Sequence, residues 1–406
     1  MIDPEDYGLD NLPYGIISDA SGRKRAAVAF GERVIDLDVL VGAGVLDEES
    51  LRGAQSLNDF LARGRPVWTA ARERLQHLLG PAAGNDERVA VRAASIPRSE
   101  ITAHLPVAIG DYVDFYSSLE HATNLGRILR PGGEPLLPNY RHIPIGYHGR
   151  SGTVVPSGTP IHRPHGQLKA ADAALPHFGP STLLDVELEM GWIAGPANAA
   201  GVPIPADAVR EHVFGYVLVN DWSARDIQSW EYQPLGPFLA KSLATSISCW
   251  IVTLDALEPF RVAEPARDPE PLPYLRARDD WAYDIELELL LQTARMREDA
   301  RHPHAISRTN FRGMYWTVAQ QLAHVTANGA TIRPGDLFGT GTISGDDAGS
   351  QGSLIELTWR GRDPLTLPGG ETRTFLQDGD TVIIRGRARC DGIRIGFGEV
   401  SGTIRG

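Results

Sequence analysis

Glycine and proline interrupt this chain too often for a bundle of long helices. The 406 residues include 43 glycines and 29 prolines, and both residue types mark turns. Between those turns, apolar residues alternate with polar ones over 184–192 and 283–291, which is the period of a strand with one apolar face. One clear helix is predicted over 314–326, ended by Asn328-Gly329. The sequence therefore predicts a mainly β protein with few helices.

The length predicts roughly two domains, at about 100–200 residues each. Residues 1–100 combine short strands with a helical region over 56–79, and residues 101–406 are mostly β. In the second part, 354–359, 381–387 and 393–397 are further strand candidates, each bounded by glycine or aspartate. We expect a small first domain over 1–100 and a larger second domain over 101–406.

Charge and cysteine content exclude several classes of protein. The net charge is −12, so the chain lacks the basic excess that holds phosphates, and no nucleic-acid partner is expected. Cys249 and Cys390 form no disulfide framework, which favours a reducing cytoplasm. The acidic, polar start is no signal peptide, and no apolar run reaches the ~18 residues of a membrane span. We expect a cytoplasmic protein without a membrane partner.

Lysine is scarce among the 39 basic residues, since the only lysines are Lys24, Lys169 and Lys241. Composition bias explains the scarcity most simply. A lysine that remains in such a chain is still of interest, because a compact ammonium changes its pKa readily on burial and differs chemically from a guanidinium.

Two segments place acidic residues at alternate positions between apolar ones: Asp185, Glu187 and Glu189 in the first, and Asp284, Glu286 and Glu288 in the second. Alternate residues of a strand lie on one face about 6–7 Å apart, so either set could converge on a hard cation. Each pattern is equally typical of the wet face of an antiparallel sheet. The pattern alone does not rank the two.

Four other segments carry chemically useful side chains. Residues 111–126 include His121, which could act as a general base or could simply bond a nearby carbonyl. Residues 220–241 mix charged, amide and aromatic groups that suit a small anionic ligand, although ordinary salt bridges explain them equally well. The glycine-rich loops 146–150 and 339–345 match no phosphate-binding signature, so no nucleotide cofactor is indicated and tight turns are the simpler interpretation.

Together these segments resemble the fumarylacetoacetase family over essentially the whole chain. The matching motifs are DFYSS–HATN at 114–124, RP at 163–164, LLDVELEM at 183–190, NDWSARDIQSWEYQPLGPF at 220–238, FRGMYWTVAQQL at 311–322, RPGDL at 333–337 and GTISG at 341–345. The resemblance implies a small N-terminal SH3-like β-barrel followed by a β-roll catalytic domain. It also implies a homodimer.

The same resemblance implies a metal-dependent hydrolase of the carbon–carbon bond in 4-fumarylacetoacetate, a step of tyrosine breakdown that yields fumarate and acetoacetate. The implied Mg²⁺ or Ca²⁺ ligands are Asp114, Glu187, Glu189 and Asp221, with Lys241 and Thr245 beside them. The implied catalytic groups are His121 as base, Glu356 as its orienting carboxylate, and Arg225, Gln228 and Lys241 around the oxyanion. The implied substrate contacts are Tyr116, Arg130, Tyr147, Gln228, Tyr232 and Thr342.

Two alternatives to this function are another reaction at the same site and a non-catalytic role. Another reaction at the same site, such as acylpyruvate hydrolysis or oxaloacetate decarboxylation, would keep the carboxylates but change the tyrosines and arginines that bind the anion. A non-catalytic binding protein on this fold would lack His121 or Glu356, and both are present. The resemblance also gives Asp284, Glu286 and Glu288 no metal-binding role, which leaves them on a solvent-exposed face of a sheet.

Overall fold

A computed structural model describes residues 3–170 and 172–406. The strands in that part of the chain are β1 Tyr14–Ser18, β2 Arg25–Phe30, β3 Arg33–Asp36, β4 Ser95–Pro97, β5 Thr102–His104, β6 Tyr112–Phe115, β7 Gly146–His148, β8 Val154–Pro156, β9 Ile161–His162, β10 His165–Leu168, β11 His177–Pro180, β12 Leu184–Asp185, β13 Leu188–Ala194, β14 Val213–Asp221, β15 Ser223–Ala224, β16 Thr245–Ile247, β17 Trp250–Thr253, β18 Arg261–Val262, β19 Ala282–Tyr283, β20 Glu286–Gln292, β21 His304–Asn310, β22 Leu337–Gly339, β23 Leu365–Thr366, β24 Thr372–Arg373, β25 Thr381–Cys390 and β26 Ile393–Arg405. The predicted mainly β class is confirmed.

The helices are mostly short. They are α1 Leu37–Gly42, α2 Asn58–Leu61, α3 Arg65–Leu79, α4 Asn85–Ala94, α5 Leu119–Leu129, α6 Val209–His212, α7 Arg225–Glu231, α8 Leu239–Ser242, α9 Leu254–Leu257, α10 Ala294–Glu298, α11 Val318–Thr326 and α12 Leu354–Leu357. Across 3–170 and 172–406, none of them has both the length and the apolarity needed to cross a bilayer.

Two sheets form the framework. Among the described residues, thirteen strands join in one sheet whose main path runs β4-β3-β2-β1-β17-β14-β13-β22-β6-β7. A five-stranded sheet, β21-β20-β25-β26-β9, packs against it. Leu218 of the large sheet and Leu287 and Ile384 of the small one are fully buried in the shared core. Burial of this apolar surface is the main source of stability for such a layered fold.

The N-terminal strands are part of the large sheet. β1 pairs with β2 on one edge and with both β5 and β17 on the other, so the N-terminal strands continue directly into the large sheet. Within the described strands the ladder does not close on itself, and the predicted SH3-like barrel is not confirmed as a closed barrel. The helical region predicted over 56–79 is divided into α2 and α3, because Gly64 adopts φ +83°.

Two predicted strands differ from the observed elements. The alternating segment 184–192 is interrupted, forming β12 and β13, and all of β13 is buried on both faces. Its acidic residues are therefore not on a wet face, since other elements cover the sheet on each side. Residues 354–359, predicted as a strand, instead begin with helix α12. Four residues of apolar–polar sequence do not distinguish a strand from one helical turn.

The order of strands brings distant segments to one place. β6 runs parallel to β22 and pairs Asp114 with Gly339, while β22 pairs antiparallel with β13. β13 in turn pairs with β14, which pairs Asp221 with Thr245 of β16. Acidic residues separated by more than a hundred positions in sequence therefore lie next to one another at one end of the sheet.

Candidate metal centre and active site

Four buried carboxylates face one another at this end of the sheet. Asp114, Glu187, Glu189 and Asp221 each offer an oxygen, and these oxygens all lie within 4.8 Å of one another. We call these four residues the carboxylate cluster. Glu189 is fully buried and Glu187 is 4 % exposed. Four carboxylates held this closely repel one another strongly unless cations lie among them.

Lysine and arginine offset part of that charge. Lys241 Nζ donates to Asp221 Oδ2 at 2.6 Å and also contacts Glu187 Oε2. Arg225 Nη2 lies 2.6 Å from Glu187 Oε1. The charge of these two partners outweighs burial and lowers the pKa of Glu187. Glu187 is therefore ionised, and the part of the cluster nearest Lys241 and Arg225 is electrostatically balanced.

The other side of the cluster is not balanced. Burial and the neighbouring carboxylates raise the pKa of Asp114 and of Glu189 well above their ordinary values. Asp114 Oδ1 and both carboxylate oxygens of Glu189 are buried with no hydrogen-bond partner among the described residues. Buried polar atoms are usually paired, and three oxygens aimed at one point match the ligand preference of a hard divalent cation. The residues present therefore fit Mg²⁺ or Ca²⁺.

Gly339 makes room for the cluster. A Cβ built on this glycine would lie 2.6 Å from Asp114 Oδ1 and 3.1 Å from Glu189 Oε2. Any larger residue would therefore push into the space between those two oxygens. The glycines of the loop that begins here allow close backbone approach, as at Gly341, where a Cβ would lie 2.2 Å from the carbonyl of Phe115.

Tyr147 and Thr245 support the cluster from the sides. The Tyr147 hydroxyl lies 2.8 Å from Asp221 Oδ2 and 3.1 Å from Asp114 Oδ2. Thr245 Oγ1 donates to Asp221 Oδ1 at 2.9 Å. These bonds hold Asp221 in one orientation. Tyr147 and Lys241 also line a small cleft of about 130 Å³, and both side chains bond to Asp221.

A histidine–carboxylate pair lies in the same region. His121, at the start of α5, places Nδ1 2.6 Å from Glu356 Oε2 of α12. Burial alone would raise the pKa of Glu356, but His121, Ser353 and Asn124 outweigh it and hold the pKa below its ordinary value. Glu356 is therefore an ionised acceptor, so Nδ1 of His121 carries the proton and Nε2 is free to accept one.

Tyr116 packs against this pair, and Thr342 comes two residues before Ser344, which bonds to Glu356. The Tyr116 ring packs edge-on against the imidazole of His121 at a centroid distance of 5.3 Å. Thr342 is buried, and its hydroxyl has no hydrogen-bond partner among the described residues. An unpaired hydroxyl and a phenol beside a histidine can both bond to a small polar molecule.

Three of the predicted site residues lie nearer the surface. Arg130 ends α5 and is exposed, and it donates to the carbonyl of Pro135 at 2.6 Å. Gln228 accepts from Arg225 Nη1 at 3.1 Å. Tyr232 follows α7 and is 42 % exposed. Arg130 and Tyr232 are thus exposed, and among the described residues no hydrogen bond joins either of them to the carboxylate cluster.

The second acidic pattern takes the wet-face arrangement. Glu286 is exposed on β20, and Glu288 pairs with Arg308 at 2.7 Å. Asp284 accepts from Asn310 at 2.6 Å. Glu286 is exposed, whereas Asp284 and Glu288 are half-buried and bond to neighbouring side chains. Unlike the carboxylate cluster, these three acidic residues are therefore not enclosed.

Sequence reasoning missed several residues that build the site. The sequence gives Gly339 no role in a carboxylate site, and no pattern marks Ser344, Ser353 or Asn124, which all bond to Glu356. Asp185 belongs to the first acidic pattern but not to the implied ligands. Asn124 and Ser344 do lie within the matching motifs, but their partner Glu356 is too distant in sequence for spacing to reveal it.

Solved structures share this fold at low sequence identity. A fumarylacetoacetate hydrolase from psychrophilic Exiguobacterium antarcticum superposes with a TM-score of 0.55 at 16% identity, covering 97% of this chain and 99% of that one. A maleylpyruvate hydrolase from a Sphingobium species gives 0.51 at 14% identity, again covering 97% and 99%. At these identities the likeness shows the fold alone.

Family models and curated proteins match at much higher similarity. The model for the fumarylacetoacetate (FAA) hydrolase C-terminal region matches residues 112–405, and that for the fumarylacetoacetase N-terminal region matches 10–106. Proteins named fumarylacetoacetase from Rattus norvegicus and Homo sapiens are 47% and 46% identical, each covering 100% of this chain and 97% of the relative. The Arabidopsis thaliana protein of that name is 47% identical, covering 98% and 95%.

Proposed function

We propose a function from one premise: the chain belongs to the fumarylacetoacetase family. It hydrolyses the carbon–carbon bond of 4-fumarylacetoacetate and releases fumarate and acetoacetate. The single observation that carries this proposal is the pairing of His121 with Glu356 in the same region as a carboxylate cluster with unpaired oxygens. A pure binding protein would need the cluster but not a histidine prepared to take a proton.

The cation site consists of the carboxylate cluster: Asp114, Glu187, Glu189 and Asp221. A bound Mg²⁺ or Ca²⁺ would polarise the oxygens of a 1,3-diketone and stabilise an enolate. Asp114 and Glu189 contribute the oxygens that have no other partner among the described residues. Lys241 is a supporting group rather than a ligand, since an ammonium has no lone pair to offer. Thr245 donates to Asp221 and orients it beside the cation site.

His121 prepares the attacking water. Its Nδ1–H is bonded to Glu356, so Nε2 takes a proton from water as the water oxygen bonds to the ketone carbon of the fumaryl group. Glu356 remains ionised and stabilises the imidazolium that forms, in the way a triad carboxylate does. Ser344 and Ser353 bond to the same carboxylate and keep it in that orientation.

Arg225, Gln228 and Lys241 act on the charge that develops. The attacked carbonyl oxygen becomes an oxyanion, and buried N–H donors aimed at such an oxygen usually supply the largest part of the stabilisation. The bond to the neighbouring methylene carbon then breaks, and that carbon receives a proton to become the methyl group of acetoacetate. His121, protonated in the first step, can return that proton.

Tyr116, Arg130, Tyr147, Tyr232 and Thr342 are the proposed substrate contacts. Arg130 and Tyr232 are exposed and suit the terminal carboxylates of the diketone acid, because a guanidinium matches a carboxylate well. Thr342 and Tyr116 are less exposed and suit the carbonyl oxygens. Contacts of this kind would distinguish a substrate with a carboxylate at each end from a shorter acylpyruvate.

Several finer assignments are part of the same proposal. We place the domain boundary near residue 100, with an SH3-like arrangement of the first strands, and we place the chain in the cytoplasm as a homodimer. Both described cysteines, Cys249 and Cys390, are free thiols, which supports a reducing compartment.

The direct test is turnover of 4-fumarylacetoacetate, followed by loss of its ultraviolet absorbance, with chelator and after Mg²⁺ or Ca²⁺ is restored. We expect activity that disappears with chelator and returns with the cation. No turnover in the presence of the restored cation would overturn the proposal. A kcat/KM on acylpyruvates above that on fumarylacetoacetate would instead favour the alternative hydrolase.

A further inference from the structure

Asp185 is a fully buried carboxylate next to the carboxylate cluster but outside it. It lies on the short strand β12, two residues before Glu187. None of its oxygens belongs to the group that converges on the candidate cation position. A buried charge of this kind is expensive unless it is paired and fully hydrogen-bonded, so its partners indicate what it does.

Its first partner is Arg225. Arg225 Nε donates to Asp185 Oδ2 at 2.8 Å, while the two terminal nitrogens lie toward Gln228 and Glu187. Arg225 Nη2 makes no hydrogen bond of good geometry among the described residues. Asp185 therefore holds the guanidinium by its inner nitrogen, while Nη1 bonds to Gln228 and Nη2 lies buried against Glu187.

Its second partner is the start of helix α12. Asp185 Oδ1 accepts from the backbone N–H of Leu354 at 2.7 Å, and Oδ2 accepts from that of Ile355 at 3.1 Å. The residue that precedes the helix, Ser353, makes no cap of its own, because its hydroxyl is bonded to Glu356. Asp185 thus supplies the missing cap for the single turn that carries Glu356.

We infer that Asp185 is a positioning residue that fixes Arg225 and the His121–Glu356 pair relative to each other. One carboxylate bonds to the group that stabilises the oxyanion and to the helix that holds the carboxylate partner of the base. A displacement of about 1 Å in Arg225 or in the His121–Glu356 pair would lower the catalytic rate substantially. This inference rests on the proposed roles of Arg225 and His121.

The chain provides a matched control in Asp226. This aspartate also accepts from backbone N–H groups, those of Thr182 at 2.7 Å, Ile227 at 3.0 Å and Leu183 at 3.3 Å. It follows Arg225 directly in sequence, but its other bonds go to the hydroxyls of Ser181 and Thr182 and not to a proposed catalytic group. Asp226→Asn therefore removes a comparable carboxylate without affecting the Asp185–Arg225 contact or the His121–Glu356 pair.

The test compares Asp185→Asn with Asp226→Asn in kcat, KM, thermal melting and Ca²⁺ binding by calorimetry. We expect Asp185→Asn to lower kcat by about tenfold or more, with KM within threefold and Ca²⁺ affinity nearly unchanged, while Asp226→Asn keeps kcat within twofold. In an Arg225→Lys background, Asp185→Asn should cost less than it does in wild type, because only its contact with helix α12 is then lost. Equal effects of the two asparagine variants, or costs that add fully to Arg225→Lys, would overturn the inference.

A second readout does not depend on the substrate. The short Nδ1–H bond of His121 to Glu356 should give a low-field proton resonance in NMR, and Asp185→Asn should move or broaden it while Asp226→Asn should not. An unmoved resonance would also overturn the inference. If the wild-type protein shows this resonance but no turnover, the proposed function is wrong. The resonance in Asp185→Asn and Asp226→Asn still tests the positioning role in that case. If Asp185→Asn does not fold, Asp185→Ser keeps a cap acceptor but does not reach Arg225.

Discussion

The carboxylates of Asp114 and Glu189 meet across the backbone of Gly339, which has no side chain to separate them. The three residues belong to β6, β13 and β22, with β22 between the other two strands. The candidate cation site therefore depends on an absent side chain as much as on the acidic residues, and this dependence gives the first prediction.

Gly339→Ala should weaken cation binding by about tenfold or more, the usual scale for a disturbed metal surround, because the new methyl group would enter the space between the two carboxylates. Calorimetric titration with Ca²⁺ measures the affinity of the variant and of wild type. Gly152→Ala is the control, since a Cβ there meets nothing within 4 Å. Unchanged Ca²⁺ affinity in Gly339→Ala would show that the cation binds elsewhere.

Glu356→Gln should lower kcat by roughly 10²–10⁴-fold while leaving Ca²⁺ affinity intact. The amide occupies the same space but does not stabilise a protonated His121. A second histidine–glutamate pair, His77 with Glu87 at 3.2 Å, lies on the surface and serves as the control: Glu87→Gln should keep kcat. Full turnover by Glu356→Gln would remove His121 from the role of base.

Lys241→Arg should reduce kcat/KM by about tenfold or more. Lys241 is buried between Asp221 and Glu187, and the larger planar guanidinium does not fit where a compact ammonium contacts both. Lys24 is exposed, so Lys24→Arg should leave the rate unchanged. Steady-state kinetics of the two variants decide this, and equal rates would contradict it.

Glu87 predicts a pH-dependent part of the stability. The backbone N–H of Gly84 and the Arg74 guanidinium lower the pKa of Glu87 to about 2. Because this pKa is depressed, the stabilisation is present above the unfolded value of about 4.3 and is lost as pH falls toward 2. Glu87→Gln should therefore melt below wild type at pH 6, with the difference shrinking between pH 4 and 2. A constant difference across that range would be contrary to this assignment.

The sequence predicted the mainly β class well, because turn residues and period-two alternation are local properties. It did not rank 185–189 against 284–288, since burial of β13 on both faces is set by elements distant in sequence. The resemblance chose Glu187 and Glu189, and the structure shows the physical difference: the first set is enclosed, whereas Glu286 is exposed.

Other features were outside the reach of pattern reasoning. Helix α12 is only four residues long, which is too short to show the 3.6-residue period of a helix. The sequence therefore predicts a strand over 354–359, and this prediction is wrong. The role of Asp185 depends on contacts with Leu354 and Ile355, about 170 positions away in sequence. Spacing along the chain has no information about such a contact.

The interposed strand β22 also sets an order of events during synthesis. The four residues of the carboxylate cluster are all synthesised by residue 221, yet β22, the strand between those of Asp114 and Glu189, follows only at Leu337–Gly339. Glu356 is synthesised later still. A chain that ends before β22 therefore has the acidic residues without the strand that joins theirs.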